Sequence, residues 1–450
     1  MSEPQANPER GKAVFATDRA HVFHSWSAQA QISPLPIAGG AGSYIWDFDG
    51  KKYLDFSGQL VFTNIGFQHP KVVKAIQDQA AQLTTIAPQH ANEARGEAAK
   101  RITARAGKQH NKVFFTNGGA DAVENAIRMA RLHTNRHKIL SFYRSYHGNT
   151  TSAIASTGDP RRWPNEYAFG HIHFFGPYLY RSPFWATTEA EECARALEHL
   201  EQVIIFEGPN TIAAILIESV VGTAGVLIPP AGYLEGVRAL CDKYGIKWIA
   251  DEVMAGFGRT GKWFAYQHAA VEPDLIVFAK GVNSGYVPLG GVIISDEIAK
   301  TFDDRVFPGG LTYSGHPLAC AAAVATLDTM TEEKIVENAA DIGERVIKPL
   351  IHELMAKHKV IGEVRGRGVF WALDLVKDRA TREPLAPYGG TSPAMTELVG
   401  ACKKLGLMPF TNYNRMHICP PCNVSEAEIR EGFAIVDQAF AAIAGHYTGK

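Results

Sequence analysis

Long apolar runs are missing from this chain of 450 residues. Its greasiest stretch, IAAILIESVVGTAGVLIPPAGY, is broken by Glu218 and by glycines, and it falls short of the roughly 20 uninterrupted apolar residues that span a bilayer. An excess of one charge is missing as well: 45 Lys and Arg stand against 46 Asp and Glu, which leaves no electrostatic footprint for nucleic acid or an acidic membrane surface. Cysteine is scarce, six in all and scattered, as expected of reduced thiols in a cytosolic compartment. The N-terminal MSEPQANPERGK holds no apolar core of signal-peptide length, so a cytoplasmic address is expected. Repeats, low-complexity tracts and long linkers are lacking too, so any domains should pack intimately.

What is present is the composition of an ordinary globular protein, 46% hydrophobic and 20% charged. A chain of this length outgrows a single core, so at least two core-bearing units are expected. Between about residues 110 and 295, short β-branched runs alternate with amphipathic segments: KVFF, KILSFY, AAILIES, KWIADEV, LIVFAKG and GGVIIS. That alternation predicts an α/β fold with a mainly parallel sheet covered by helices. The stretch from Cys320 to about Leu354 reads as helix throughout. After it, VIGEVRGRGVFWALDLV and a helical C-terminus near Ser425–Ile443 form a second, smaller α/β unit. Near the N-terminus, SYIWDFDGKKYLDF carries the Asp49-Gly50 pair, a strong hairpin signal, and it could pack with either unit.

The chemistry gathers at strand ends. One apolar strand ends in Asp251-Glu252-Val253, at the edge where ligands of open α/β sheets collect. The next ends in Lys280, between the small residues Ala279 and Gly281, which leave room for a flat ring. Singly, Asp251 reads equally well as a turn cap and Lys280 as a surface lysine. Together they supply what pyridoxal 5′-phosphate (PLP) requires, an amine for its aldehyde and a carboxylate for its pyridinium nitrogen. Upstream, KVFF runs into TNGGADAVENAIRMARLHT, where Gly118, Gly119 and Ala120 offer backbone N–H groups to a phosphate at a helix N-terminus; alone, this would be an ordinary glycine-rich connection.

As an ordered set, FTNGGADAVENAIRMAR, YHGNT, ADEVMAGFGRTGKWFAYQH, FAKG and TYSGHPLACAAA resemble the class III PLP-dependent aminotransferases, over nearly the whole chain. The resemblance implies PLP fold type I: a large domain on a mainly parallel sheet of the seven-stranded type, over 66–325, and a small α/β domain from 1–65 and 326–450. It also implies a homodimer with shared active sites, with pairing into tetramers left open. Lys280 matches the Schiff-base lysine, Asp251 the pyridine-nitrogen partner, Val253 the residue on one ring face and Tyr146 the aromatic on the other. Glu218 matches an acidic residue of the same site, and Thr312 a phosphate ligand donated by the neighbouring subunit. Where the family carries hydroxyl residues beside the phosphate-cup glycine, this chain has Gly118 and Ala120, so the phosphate would rest on backbone amides and Thr312.

The implied activity moves an amino group from a small donor to a keto acid. HVFHSWSAQ and NYNRMHICPP bring the chain nearest the ω-amino acid and amine:pyruvate transaminases, including taurine–pyruvate types. Arg415 is a candidate cation for a substrate carboxylate, although Phe410 stands where many amine:pyruvate relatives carry a mobile arginine. Phe23, Trp26 and Phe62 could wall an apolar donor pocket, or simply pack in the core. The strand-end pair does not separate transamination from an aminomutase or decarboxylating transaminase on the same scaffold. A nucleotide loop at GFGRTGK, Gly256–Lys262, is the remote alternative, and Trp263 speaks against it because it replaces the Ser or Thr that would hold magnesium. Cys419-Pro-Pro-Cys422 has no second cysteine pair, and His352 and His358 are six apart rather than four, so no metal is expected. No G-x-G-x-x-G follows a strand, which argues against a dinucleotide fold.

Overall fold

Every residue of the strand Ile212–Glu218 is buried, and the computed structural model, which describes residues 5–450, shows why its sequence is continuously apolar. Helices cover both faces of its sheet, so neither set of alternating side chains can be polar. Leu216 packs with Ala122, Ile127 and Ala130 of the helix Gly119–Thr134, while Ile215 and Ile217 join Leu200, Tyr233 and Val237 of the helices on the opposite face. Seven strands lie in the order His110–Thr116, Gly290–Ser295, Leu275–Phe278, Lys247–Asp251, Ile212–Glu218, Lys138–Phe142 and His171–Phe174. Six of them correspond to the apolar runs read from the sequence. The seventh, HIHF, is a short and mostly half-buried edge strand whose two histidines hide its periodicity. Gly290–Ser295 runs antiparallel to both neighbours and the remaining pairs are parallel. A Cβ built on Gly290 would lie 2.6 Å from the Gly118 carbonyl oxygen, so only glycine lets the two segments meet.

The Asp49-Gly50 signal does make a hairpin, between Tyr44–Asp47 and Lys52–Asp55, with Gly50 at φ +82°. Its Asp47 carboxylate accepts from the Asp49 and Lys51 N–H groups and ties the turn. Lys52–Asp55 then pairs in parallel with Leu407–Met408, which joins the hairpin to the C-terminal part of the chain. That part also holds an antiparallel sheet of Ile361–Arg367, Phe370–Asp378, Arg415–Ile418 and Phe410–Asn412. The helical stretch after Pro317 is not continuous: Lys334, at φ +52°, breaks it between Glu332 and Ile335. Among the described residues, no helix is long and apolar enough to cross a membrane.

Candidate active site

Parallel pairing sets Glu218 directly beside Asp251 at the carboxyl edge of the large sheet, and Asp251 in turn faces Val277. Three residues beyond Val277 the chain turns out of the strand at Lys280, whose φ of +46° is unusual for a side chain of this size. Backbone held in that sparsely populated region marks a position fixed by its surroundings. The loop after Lys138–Phe142 brings in Tyr146 and His147. His147 Nδ1 lies 2.7 Å from Asp251 Oδ2, and because a carboxylate only accepts, the ring nitrogen donates. Asp251 Oδ1 accepts from the Val253 N–H at 3.0 Å. Glu218 accepts from Tyr146 N at 3.1 Å and from Gly222 N at 2.8 Å, so one carboxylate fixes the aromatic residue and the next turn.

These buried groups shift one another. Burial raises Glu218 to about 7, with Asp251 adding to the rise while His147 opposes it. Lys280 is lowered to about 8, again chiefly by burial, against the pull of Asp251 and Glu218. A lysine so placed is uncharged far more often near neutral pH than one in water.

Lys280, Asp251, Val253, Tyr146, Gly119, Ala120, Glu218 and Trp26 line one cavity of about 760 Å³. The cavity suits a flat ring with an anionic tail. At one end of the cavity the helix Gly119–Thr134 starts at Gly118 with no side chain capping it, which leaves its first N–H groups to a ligand. A Cβ on Gly119 would sit 3.0 Å from Val253 Cγ2, so the glycine keeps the space beside Val253 open. Gly148, at φ +133°, lets the loop pass within 2.6 Å of Ala120 measured from a built Cβ. At the other end, Asp251 keeps lone pairs for a ring N–H beyond its two existing bonds.

Three expected residues lie elsewhere, while Thr312, expected at the neighbouring subunit's site, is exposed. Phe23 is 85% exposed. Phe62 packs against Gly285 instead of the cavity. Arg415 is buried beside Asp374, Nε to Oδ2 3.8 Å, with Arg181 and Arg365 on the same carboxylate. The preceding strand and turn, residues 410–413, line the cavity, while Arg415 opens the next strand and is held by the ion cluster. The residue that sequence reading missed is Arg161. Its guanidinium stacks 3.6 Å over the Tyr146 ring and its Nε and Nη2 bind the buried Asp159 carboxylate at 2.5–3.1 Å. Burial opposes its charge, and Asp159 by hydrogen bonding and field outweighs that. The local signal was only Asp-Pro-Arg, in which Asp159 caps a short turn.

The other motifs are absorbed by packing. Arg259 of GFGRTGK is fully buried, bound to Asn64 Oδ1 at 2.8 Å and to the Pro420 carbonyl, so that loop serves the interior. Cys419 and Cys422 are free thiols in the core. No group of His, Cys, Asp and Glu among the described residues could hold a metal ion.

Comparison with known proteins gives a consistent picture. The model of the class-III aminotransferase family matches residues 26–440. Taurine–pyruvate aminotransferase of Bilophila wadsworthia is 33% identical over 96% of this chain and 97% of its own. The 5-aminovalerate aminotransferase of Pseudomonas aeruginosa is 35% identical over 92% and 95%. Taurine:2-oxoglutarate aminotransferase from Bifidobacterium kashiwanohense, solved with PLP and glutamate, is 42% identical with a TM-score of 0.94, covering 99% of this chain and 100% of that one.

Proposed function

Since the chain belongs to the class-III aminotransferase family, and so is a PLP-dependent transaminase, we propose that its donor is a short ω-amino acid whose distal anion pairs with Arg161. The acceptor on this reading is a 2-keto acid such as pyruvate. The observation that carries the proposal is the fixed guanidinium. Asp159 and Tyr146 hold Arg161 on two sides, while Nη1 makes no hydrogen bond among the described residues. A pinned arginine cannot swing aside for an uncharged tail, so donors with a sulfonate or carboxylate are favoured over plain arylalkylamines. The names borne by the taurine and 5-aminovalerate relatives point the same way.

When bound, the cofactor supplies an electrophilic aldehyde and an electron-accepting ring. In the proposed assignment Lys280 would hold it through Nζ and would take the proton from the donor's nitrogen-bearing carbon. The lowered Lys280 pKa suits both tasks, because each needs the neutral amine. Asp251 keeps the ring nitrogen protonated, and the His147 bond holds that carboxylate in place. Val253 and Tyr146 would hold the ring, Glu218 orders Tyr146 through its N–H, and Gly118, Gly119 and Ala120 would offer backbone N–H groups to the phosphate. The working unit in this reading is a homodimer in which Thr312 of the partner subunit completes the phosphate site. Residues 66–325 form the large domain, and 1–65 with 326–450 the small one.

Visible spectra of wild type, Lys280→Ala and Arg161→Met with PLP test this, recorded before and after taurine, β-alanine or an arylalkylamine. A Lys280-dependent band that taurine or β-alanine bleaches and pyruvate restores is expected. Arg161→Met should need roughly 10–100 times more of the anionic donor, the worth of one charge-assisted contact. Equal response to all donors in wild type would sink the donor assignment.

A further inference from the structure

The part of the cavity wall contributed by Trp26 is held in an unusual way. Trp26 has φ +54°, is 64% exposed, and meets the Tyr146 ring edge-on at 6.5 Å, beside the Arg161 guanidinium that covers that ring. A large aromatic in left-handed backbone and largely in water does not stay in place through its own packing. The polar ties of its loop converge on one side chain, that of Gln29. Gln29 Oε1 accepts from His24 N at 3.0 Å, and Nε2 donates to the His24 carbonyl at 2.8 Å and to the Ser27 carbonyl at 2.8 Å. The amide thus pairs with both backbone groups of His24 as a neighbouring strand would, and closes the loop 24–29 with Trp26 at its tip. The closed loop is then fastened to the preceding helix Pro8–His21. His24 Nε2 lies 2.6 Å from Asp18 Oδ1, and Arg19 donates to the Gln29 carbonyl at 2.5 Å. That helix reaches the body of the protein at its other end, where Asn7 N donates to the Phe48 carbonyl and Gly11 packs on the Phe48 ring.

We infer that Gln29 is a specificity-positioning residue: its amide clasps the Trp26 loop and sets Trp26 against Tyr146, which closes the donor end of the site beside Arg161. This rests on the reading above that Arg161 and its neighbours receive the distal anion of the donor. The clasp stands apart from the reacting end, so its loss loosens donor binding and leaves proton transfer at Lys280 untouched. In kinetic terms it changes KM and not kcat.

Steady-state kinetics of the PLP-loaded enzyme with taurine and pyruvate test this for Gln29→Ala, Trp26→Ala and the double variant, with Arg161→Met alongside. Gln29→Ala is expected to raise the taurine KM by about fivefold or more while kcat and the pyruvate KM stay within about twofold. The double variant is expected to be no worse than Trp26→Ala alone, because both changes remove one interaction. Thermal unfolding of Gln29→Ala should match wild type, since the clasp touches only a surface loop. If Trp26→Ala raises the taurine KM and Gln29→Ala does not, or if the two effects simply add, the clasp is overturned while the donor-end reading stands. If Arg161→Met leaves the taurine KM unchanged, the donor-end reading itself has failed and takes the clasp with it.

Discussion

Adding one methyl group at Gly119 probes the cofactor slot without touching any titrating group. The new Cβ would lie 3.0 and 3.2 Å from the two Val253 methyls and 3.7 Å from Ala279 Cβ. Ordinary carbon contacts begin near 3.5 Å, so Val253 has to retreat by a few tenths of an ångström. It cannot retreat alone, because its N–H is bonded to Asp251 Oδ1 at 3.0 Å. Overpacking of this kind costs about 1–3 kcal/mol. Alanine at the first turn of Gly119–Thr134 returns up to about 1 kcal/mol through helix propensity, but to the fold and not to the ligand. Gly119→Ala should therefore weaken PLP binding about tenfold, equal to about 1.4 kcal/mol, while the cofactor-free protein melts within a few degrees of wild type. Titration of the cofactor-free protein with PLP, followed by absorbance, gives the Kd. Val253→Ala removes the obstructing methyls, so in the double variant the two losses should fall short of their sum by about 1 kcal/mol. Strict additivity, or a Gly119→Ala Kd equal to wild type, would refute the reasoning.

Lys280 titrates near 8 in the folded chain, against an ordinary value of 10.5. Formation of the Lys280-dependent visible band should accordingly accelerate as pH rises through about 8 and then level off, instead of climbing towards 10.5 as free lysine does. The sign for stability follows: between about 8 and 10.5 the unfolded chain holds more protons, so this lysine makes the cofactor-free protein more stable as pH rises through that window. Lys280→Met should remove that part of the slope, measured by denaturant unfolding at several pH values. Arg259→Met leaves the buried Asn64 side chain and Pro420 carbonyl without their donor and should lower stability by about 2–4 kcal/mol. Arg259→Lys reaches one acceptor at most and should recover only part of it; a denaturant midpoint unchanged in both variants would dismiss the tie.

Much of this architecture was legible because burial leaves a direct mark on sequence. AAILIES and KWIADEV are apolar through their interiors since helices lie on both faces, and their polar ends announce where the sheet stops. For the same reason Asp251 and Lys280 could be placed at neighbouring strand ends before any geometry was known, whereas Glu218 came only from the family resemblance. The HIHF strand was lost because an edge strand needs no continuous apolar run. Arg161 was lost for a different reason: it sits in a polar turn, and its importance comes from Tyr146 and from Asp159, neither visible as a pattern of spacing. Arg415 illustrates the converse. It follows directly on a segment that does line the cavity, but it opens the next strand, where register sets it opposite Asp374.

The reversed strand Gly290–Ser295 carries one last consequence. It lies between the strand that leads to Lys280 and the strand that leads to the helix start at Gly119, bonded to both. Two ladder spacings of about 4.8 Å each then separate those two strands, close to 10 Å in all. Hydrogen bonds define that width, and no helix has to pack correctly to maintain it. The strand is a ruler built into the sheet: mutations that loosen the outer helices can soften the protein a good deal before they change the spacing of the two strands that deliver Lys280 and Gly119.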